Sequence, residues 1–187
     1  VMRIFDLINN LDQNIIQYTY NHLRTPLLDD IMSFITHLGD AGIIWGVICI
    51  LLIINKKYRK VGIIALIVLL TNIILGELIL KNAIGRVRPY DALNLDIIIN
   101  KLNSFSMPSG HALTSFSVAF VILFLVDDWK IYVPILLLAT GILLSRVYLT
   151  VHYPSDVLMS VVIAFIVSWI VIKIAYHRGF LHKRKYE

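Results

Sequence analysis

Cysteine is almost missing from this sequence. Cys49 stands alone, inside an apolar run, so neither a disulfide framework nor a cysteine-based zinc site can be drawn. Charge is scarce too: Asp, Glu, Lys and Arg make up 16% of residues, against about a quarter in a soluble domain. The net charge of +5 brings no basic stripe interleaved with aromatics, which argues against a nucleic-acid surface; the excess sits in two clusters beside apolar segments. There is no internal repeat or low-complexity tract. Nor is a cleavable signal evident, because residues 1–20 carry Asp6, Asp12 and several Asn and Gln where an apolar core is needed.

Hydrophobic side chains are what the sequence has in abundance, at 58% with a mean hydropathy of +0.79. That balance places the chain in a bilayer. Spans of about 20 residues consume most of the length, so residues 1–187 are read as a single membrane domain. Five apolar stretches stand out: 39–54, 61–80, 110–126, 131–150 and 156–175. In lipid they must be helices, since every backbone donor and acceptor has to be paired within its own segment. The first is short unless it recruits residues before Gly39.

Ahead of them, Phe5, Ile8, Leu11, Ile15 and Tyr18 recur at three- or four-residue spacing, which predicts an amphipathic helix lying on the interface over residues 4–23. A degenerate sixth span is the alternative. Thr25-Pro26 reads as the cap and first turn of a second amphipathic segment reaching Leu38. The expected fold is therefore all-α: a polytopic membrane helix bundle of five transmembrane helices, preceded by N-terminal amphipathic helices over residues 1–38.

The connector 55–60 and the tail from Arg178 to Lys185 each hold four Lys or Arg, whereas residues 1–40 hold two basic and five acidic side chains. The positive-inside bias puts that connector and the C-terminus in the cytoplasm. The N-terminal segment, the 81–109 loop and the turn around His152 then share the outer face.

Ionisable side chains beside a bilayer are costly and mark function by default. Three groups need explaining. The first ends the second span, where Lys81 and Arg88 lie seven residues apart, two turns along one helical face if the helix continues. Two cations so placed suit an anion; an isolated pair would serve equally well as anchors reaching the headgroups. The second is Ser106-Met107-Pro108-Ser109-Gly110-His111, a turn before an apolar helix whose unpaired first-turn N–H groups favour negative charge. Alone, Ser109 would be read simply as an N-cap. The third closes the fourth span with Ser145-Arg146, then His152 and Asp156, which meet across a turn if Pro154 starts the next helix. A carboxylate beside an imidazole fixes its tautomer and supports its charged form, as a nucleophilic or basic histidine requires.

Taken together, the pattern Lys81 with Arg88-Pro89, then Pro108-Ser109-Gly110-His111, then Ser145-Arg146 with His152 and Asp156 resembles the tripartite signature of the type 2 phosphatidic acid phosphatase (PAP2) superfamily, matched at every position across residues 81–156. Membrane members commonly have six spans, so five is a departure. The resemblance implies that His152 attacks phosphorus to give a phosphohistidine, with Asp156 orienting it and His111 protonating the leaving oxygen. It further implies that Lys81, Arg88, Arg146, the Ser109 side chain and the Gly110 backbone N–H hold the phosphoryl oxygens. Phosphoryl transfer needs mainly positioning and charge neutralisation, which three cations can supply. No metal and no cofactor is expected. Glu77, one turn before Lys81, is expected to pair with it, and Arg86 and Asp91 read as solvated loop residues. His22, His37, His177 and His182 lack partnered contexts and are placed at interfaces.

A site at the outer boundary favours a lipid phosphate or diphosphate over a soluble phosphate. Small bacterial membrane members of this superfamily resemble undecaprenyl-diphosphate phosphatases and phosphatidylglycerophosphate phosphatases. The small size and outward site point to the first. A non-catalytic lipid-phosphate binding or transport protein would also want an outward anion site, but has no need of two histidines and a paired Asp. Vanadate-dependent haloperoxidases use similar residues but are soluble. Membrane lipids are the other partners expected, and a homodimer is left open.

Overall fold

The computed structural model describes residues 2–181. The basic cluster at Lys183, Arg184 and Lys185, and His182, lie outside these described residues. Among the described residues the chain is all-helical, with no strand.

Helix α1 (Met2–Tyr18) runs on through a π turn at Thr19–Leu23. Its apolar stripe faces outward: Ile4, Phe5, Ile8, Leu11, Ile15 and Tyr18 are all exposed, while Asp12 and Ile16 on the other side are buried. This matches the amphipathic helix expected over residues 4–23.

Helix α2 (Pro26–Leu38) starts as the sequence predicts, with Thr25 accepting a hydrogen bond from the Leu28 N–H at 3.3 Å and Pro26 in the first turn. A single turn at Asp40–Gly42, with left-handed backbone at Ala41 and Gly42, leads into α3 (Ile43–Ile54). Residues 26–54 together are long and apolar enough to cross a membrane. The first apolar stretch thus gains the residues before Gly39 that it needed.

After the basic connector, α4 (Arg59–Ile73) continues through a π segment at Ile74–Leu80 into the short α5 (Lys81–Ile84). Gly85, at φ 64°, ends it. A short α6 (Pro89–Ala92) opens the loop that follows. Helices α7 (Gly110–Leu125), α8 (Trp129–Tyr148) and α9 (Pro154–His177) complete the bundle. Among the described residues four segments are long and apolar enough to cross a membrane, and α7 is a fifth, shorter apolar helix.

Helix α7 is the centre of the packing. Residues Ala112–Ala119, Val121 and Ile122 are buried along it, against α4, α8 and α9. Its inner positions include Ala112, Thr114, Ser115, Ser117 and Ala119. Small side chains of this kind let membrane helices approach closely without a hydrophobic driving force between them. A polar tie reinforces the contact, since Asn72 on α4 donates to Ser117 at 2.7 Å and Ser117 donates to the Leu113 carbonyl at 2.6 Å. Gly62 has the same use between α3 and α4. A Cβ there would sit 2.7 Å from the Ile53 nitrogen and 2.8 Å from the Cys49 carbonyl oxygen.

The up-and-down course brings the end of α5 and the starts of α7 and α9 to one end of the bundle, together with the end of α8. The basic connector lies at the opposite end, where Lys60 stacks over Phe180 just beyond α9. Functional side chains far apart in sequence are thereby gathered, as with Arg86 and Asp156, 70 residues apart.

Candidate active site

A cavity of about 410 Å³ opens at this end, lined among others by Lys81, Arg88, Gly110, His111, Arg146 and His152. Six of the eight residues singled out in the sequence therefore face one space. Asp156 lies behind His152, fully buried, and Ser109 is buried just outside the lining.

His152 sits on the turn between α8 and α9. Its Nε2 lies 3.2 Å from Arg88 Nη1, on the cavity side. Its Nδ1 faces backward, 3.5 Å from Ser106 Oγ and 3.7 Å from Asp156 Oδ2. The last distance is longer than a hydrogen bond, so Ser106 bridges the pair by donating to Asp156 Oδ2 at 2.5 Å. Burial pushes the His152 pKa down to about 3, overriding the opposing pull of Asp156, so its ring is neutral at ordinary pH. A neutral imidazole keeps a lone pair on nitrogen, which a nucleophile needs.

Asp156 is placed by the start of α9. It is the third helical residue, and its Oδ2 accepts the Tyr153 N–H at 2.9 Å, the reciprocal half of a capping box. Pro154 does start this helix, so the histidine and the aspartate meet across a turn, as expected.

The cations reach the cavity differently from expectation. Lys81 and Arg88 do not share a helical face, because Gly85 ends α5 in the left-handed conformation and residues 85–88 are not helical. They converge on Ser104 instead, Lys81 Nζ at 3.3 Å and Arg88 Nη2 at 3.0 Å from its Oγ. Arg88 is fixed further by the carbonyls of Ser104, Phe105 and Val151, at 2.7, 3.2 and 2.9 Å. Glu77 does pair with Lys81, through both carboxylate oxygens at 2.7 and 2.8 Å.

Arg146 is 1% exposed and donates to Thr36 on α2 at 2.6 Å. Its buried Nε has no hydrogen-bond partner among the described residues. A buried guanidinium with an unused N–H is costly unless something anionic takes it, and Arg146 lines the cavity. Ser109 caps α7, accepting from Ala112 N–H at 3.5 Å. Gly110 is packed so closely on Glu77 that a Cβ would collide with its carboxylate. His111 lies across the cavity, with its Nε2 3.0 Å from Asp40 Oδ1.

Arg86 overturns its expected role. Its side chain is 19% exposed rather than solvated, with Nη1 on Asp156 Oδ1 at 2.5 Å and Nη2 on Asp12 Oδ2 at 2.7 Å. Its guanidinium also covers the Tyr153 ring at 4.0 Å. Asp12 in turn accepts from the Ser155 N–H at 3.0 Å and from the Ser155 hydroxyl. A chain of contacts thus joins α1 to Asp156. Sequence reading missed Arg86, Asp12, Asp40 and Ser104. Asp12 lies on the polar face of α1, and nothing in its spacing names its partner. Asp91 pairs with Lys101 at 2.6 Å near the surface, close to the solvated placement expected. His22 and His37 are exposed and bond only within their own helices.

A model of the PAP2 superfamily matches residues 60–180. The undecaprenyl-diphosphatase of Sulfolobus acidocaldarius is 30% identical over 174 residues, which cover 92% of this chain and 77% of that protein. Phosphatidylglycerophosphatase B of Bacillus subtilis is 35% identical over 147 residues, 73% of this chain and 70% of that one. Among solved structures, the transmembrane PAP2 type phosphatidylglycerolphosphate phosphatase from Bacillus subtilis superposes with a TM-score of 0.75 at 25% identity, covering 96% of this chain and 90% of its own.

Proposed function

This chain belongs to the PAP2 superfamily and is a membrane phosphatase of lipid phosphates, and we propose that its lipid is undecaprenyl diphosphate, hydrolysed at the extracytoplasmic face through a phosphohistidine on His152. The observation that carries the chemistry is the neutral His152 Nε2 facing a cavity that also holds Lys81, Arg88 and Arg146. Nε2 attacks phosphorus in line with the bond to the leaving oxygen, while the three cations and the Gly110 N–H neutralise the phosphoryl oxygens. Asp156, behind the ring, supports the positive charge that develops on it. His111 gives a proton to the leaving oxygen, then takes one from the water that attacks the phosphohistidine. Ser109 contributes by capping α7 and so aiming the first-turn N–H groups at the anion. Three fixed cations provide the charge neutralisation that metals supply in many phosphoryl-transfer enzymes, and no metal is required.

The five apolar helical segments are read as five spans, with the basic connector and tail in the cytoplasm and the cavity outside. The apolar stripe of α1 then lies in the same leaflet as the cavity mouth. Such a site meets an amphiphile whose tail stays in lipid. The relative named undecaprenyl-diphosphatase, aligned over nearly the whole chain, supports the diphosphate. A glycerophospholipid phosphate is the second reading, favoured by the phosphatidylglycerophosphatase relative and the superposed phosphatase structure.

The test is phosphate release by the purified protein in EDTA, offered undecaprenyl diphosphate, phosphatidylglycerophosphate or phosphatidic acid. A sealed-vesicle arm would present substrate to the extracytoplasmic leaflet alone. The diphosphate should be the best substrate, without added metal and from that leaflet, and His152→Ala should lose at least about 1000-fold in kcat. Preference for a glycerolipid would replace the substrate and keep the mechanism. Activity abolished by chelation and restored by one divalent ion would contradict the metal-free chemistry, and no release from any lipid would sink the assignment.

A further inference from the structure

The turn between α2 and α3 has no part in the chemistry so far, yet it is built against the cavity. Gly39, Ala41 and Gly42 line the cavity, and Asp40 sits among them. Ala41 holds φ 51° and Gly42 φ 69°. A non-glycine residue in that region is held there only by its surroundings, and such positions cluster at functional sites. Gly39 is pressed on the imidazole itself, since a Cβ would lie 2.8 Å from His111 Cδ2 and 2.9 Å from Ile142 Cγ2. The turn delivers one polar contact there: the Asp40 carboxylate accepts from His111 Nε2 at 3.0 Å.

We propose that Asp40 is a positioning residue for leaving-group protonation, holding the His111 ring in one orientation and balancing its charge so that Nδ1 carries the transferable proton. The inference rests on the reading of His111 as the proton donor. Its basis is a proton count. With Nε2–H bonded to Asp40, a neutral His111 has no proton on Nδ1, so only the imidazolium can donate from that nitrogen toward the substrate. Lys81, Arg88 and Arg146 share the cavity and oppose a further positive charge. Glu77 lies there too, but both of its oxygens are taken by Lys81. Asp40 is the carboxylate in direct contact with the ring.

The bonds and protons then balance. As His152 Nε2 bonds to phosphorus, the phosphorus–oxygen bond to the leaving group breaks, the electron pair goes to that oxygen, and the Nδ1 proton of His111 follows. His111 remains neutral, with Nε2–H still on Asp40. In the second step Nδ1 takes a proton from water, the resulting hydroxide oxygen bonds to phosphorus, and His152 departs. His111 is an imidazolium again.

A donor matters in proportion to how poor the leaving group is. The test therefore compares dioctanoyl phosphatidic acid, whose leaving group is an alcohol, with p-nitrophenyl phosphate, which leaves as an acidic phenol. The full chain in detergent is used as wild type, Asp40→Asn, His111→Gln and the double variant. Asp40→Asn keeps an acceptor oxygen and removes the charge. Its rate of leaving-group release within a single turnover, which excludes the dephosphorylation common to both substrates, should fall about 10- to 100-fold on the alkyl phosphate and stay near wild type on the aryl phosphate. The double variant should be no slower than His111→Gln alone, because both changes remove one function. Equal losses on the two substrates, no loss on the alkyl phosphate, or additive losses in the double variant would overturn the role of Asp40. A wild-type protein inactive on both would instead remove the phosphatase reading on which it stands.

Discussion

At the scale of single residues, the chemistry depends on how buried charges are paired. Asp156 is fully buried, and its charge is balanced by Arg86 at 2.5 Å rather than by the neutral His152. Removing one partner of a buried pair leaves the other uncompensated, which costs about 3–5 kcal/mol in full burial and less here, because Arg86 keeps 19% exposure. Arg86→Gln should lower kcat by about tenfold or more and reduce thermal stability. Arg86→Lys should recover only part, since one ammonium cannot fork between Asp156 and Asp12 as a guanidinium does. Unchanged kcat in Arg86→Gln, measured by phosphate release, would show that Asp156 does not depend on it. Lys81, Arg88, His111, Arg146, His152 and Asp156 were legible because their spacings within three short stretches carry the pattern. Arg86 and Asp40 were not, because their partners lie 74 and 71 residues away and each looks like an ordinary loop charge.

At the scale of elements, periodicity predicted the helices well and their junctions poorly. The apolar stripe of α1 was plain from Phe5, Ile8, Leu11, Ile15 and Tyr18, but Asp12 read as one more polar residue on the wet face. It is 3% exposed and docks α1 onto the start of α9 through Ser155 and onto Arg86. Asp12→Ala should therefore loosen an entire helix. Hydrogen exchange over residues 2–23 should speed up, with a fall in kcat transmitted through Arg86 to Asp156. Exchange at the wild-type rate would mean that α1 is held by its lipid-facing stripe alone. The same limit explains the first cation pair. A seven-residue spacing suits one helical face only while the helix lasts, and Gly85 at φ 64° ends it between Lys81 and Arg88. The loop then returns Arg88 to the cavity, where five hydrogen-bond contacts hold it.

At the scale of the whole molecule, the charged site is gathered at one end of the bundle from helix ends and the turns beside them. Burying α7 on nearly all sides fixes the bundle, and the ends of α5, α7, α8 and α9 then present their terminal side chains to one cavity. Apolar composition made the membrane class and helical fold legible, and the tripartite pattern made the family legible. Three-dimensional convergence across the bundle, including the contributions of α1 and the Asp40 turn, has no local sequence mark. The central claim is that His152 carries the phosphoryl group during turnover. The most direct measurement is rapid alkaline quenching of His111→Gln, in which dephosphorylation is slowed, during hydrolysis of p-nitrophenyl phosphate, followed by mass spectrometry of the peptide containing residue 152. A phosphoryl group on His152, absent from His152→Ala, is the predicted result; turnover with no phosphorylated His152, or with the phosphoryl group on another residue, would contradict it.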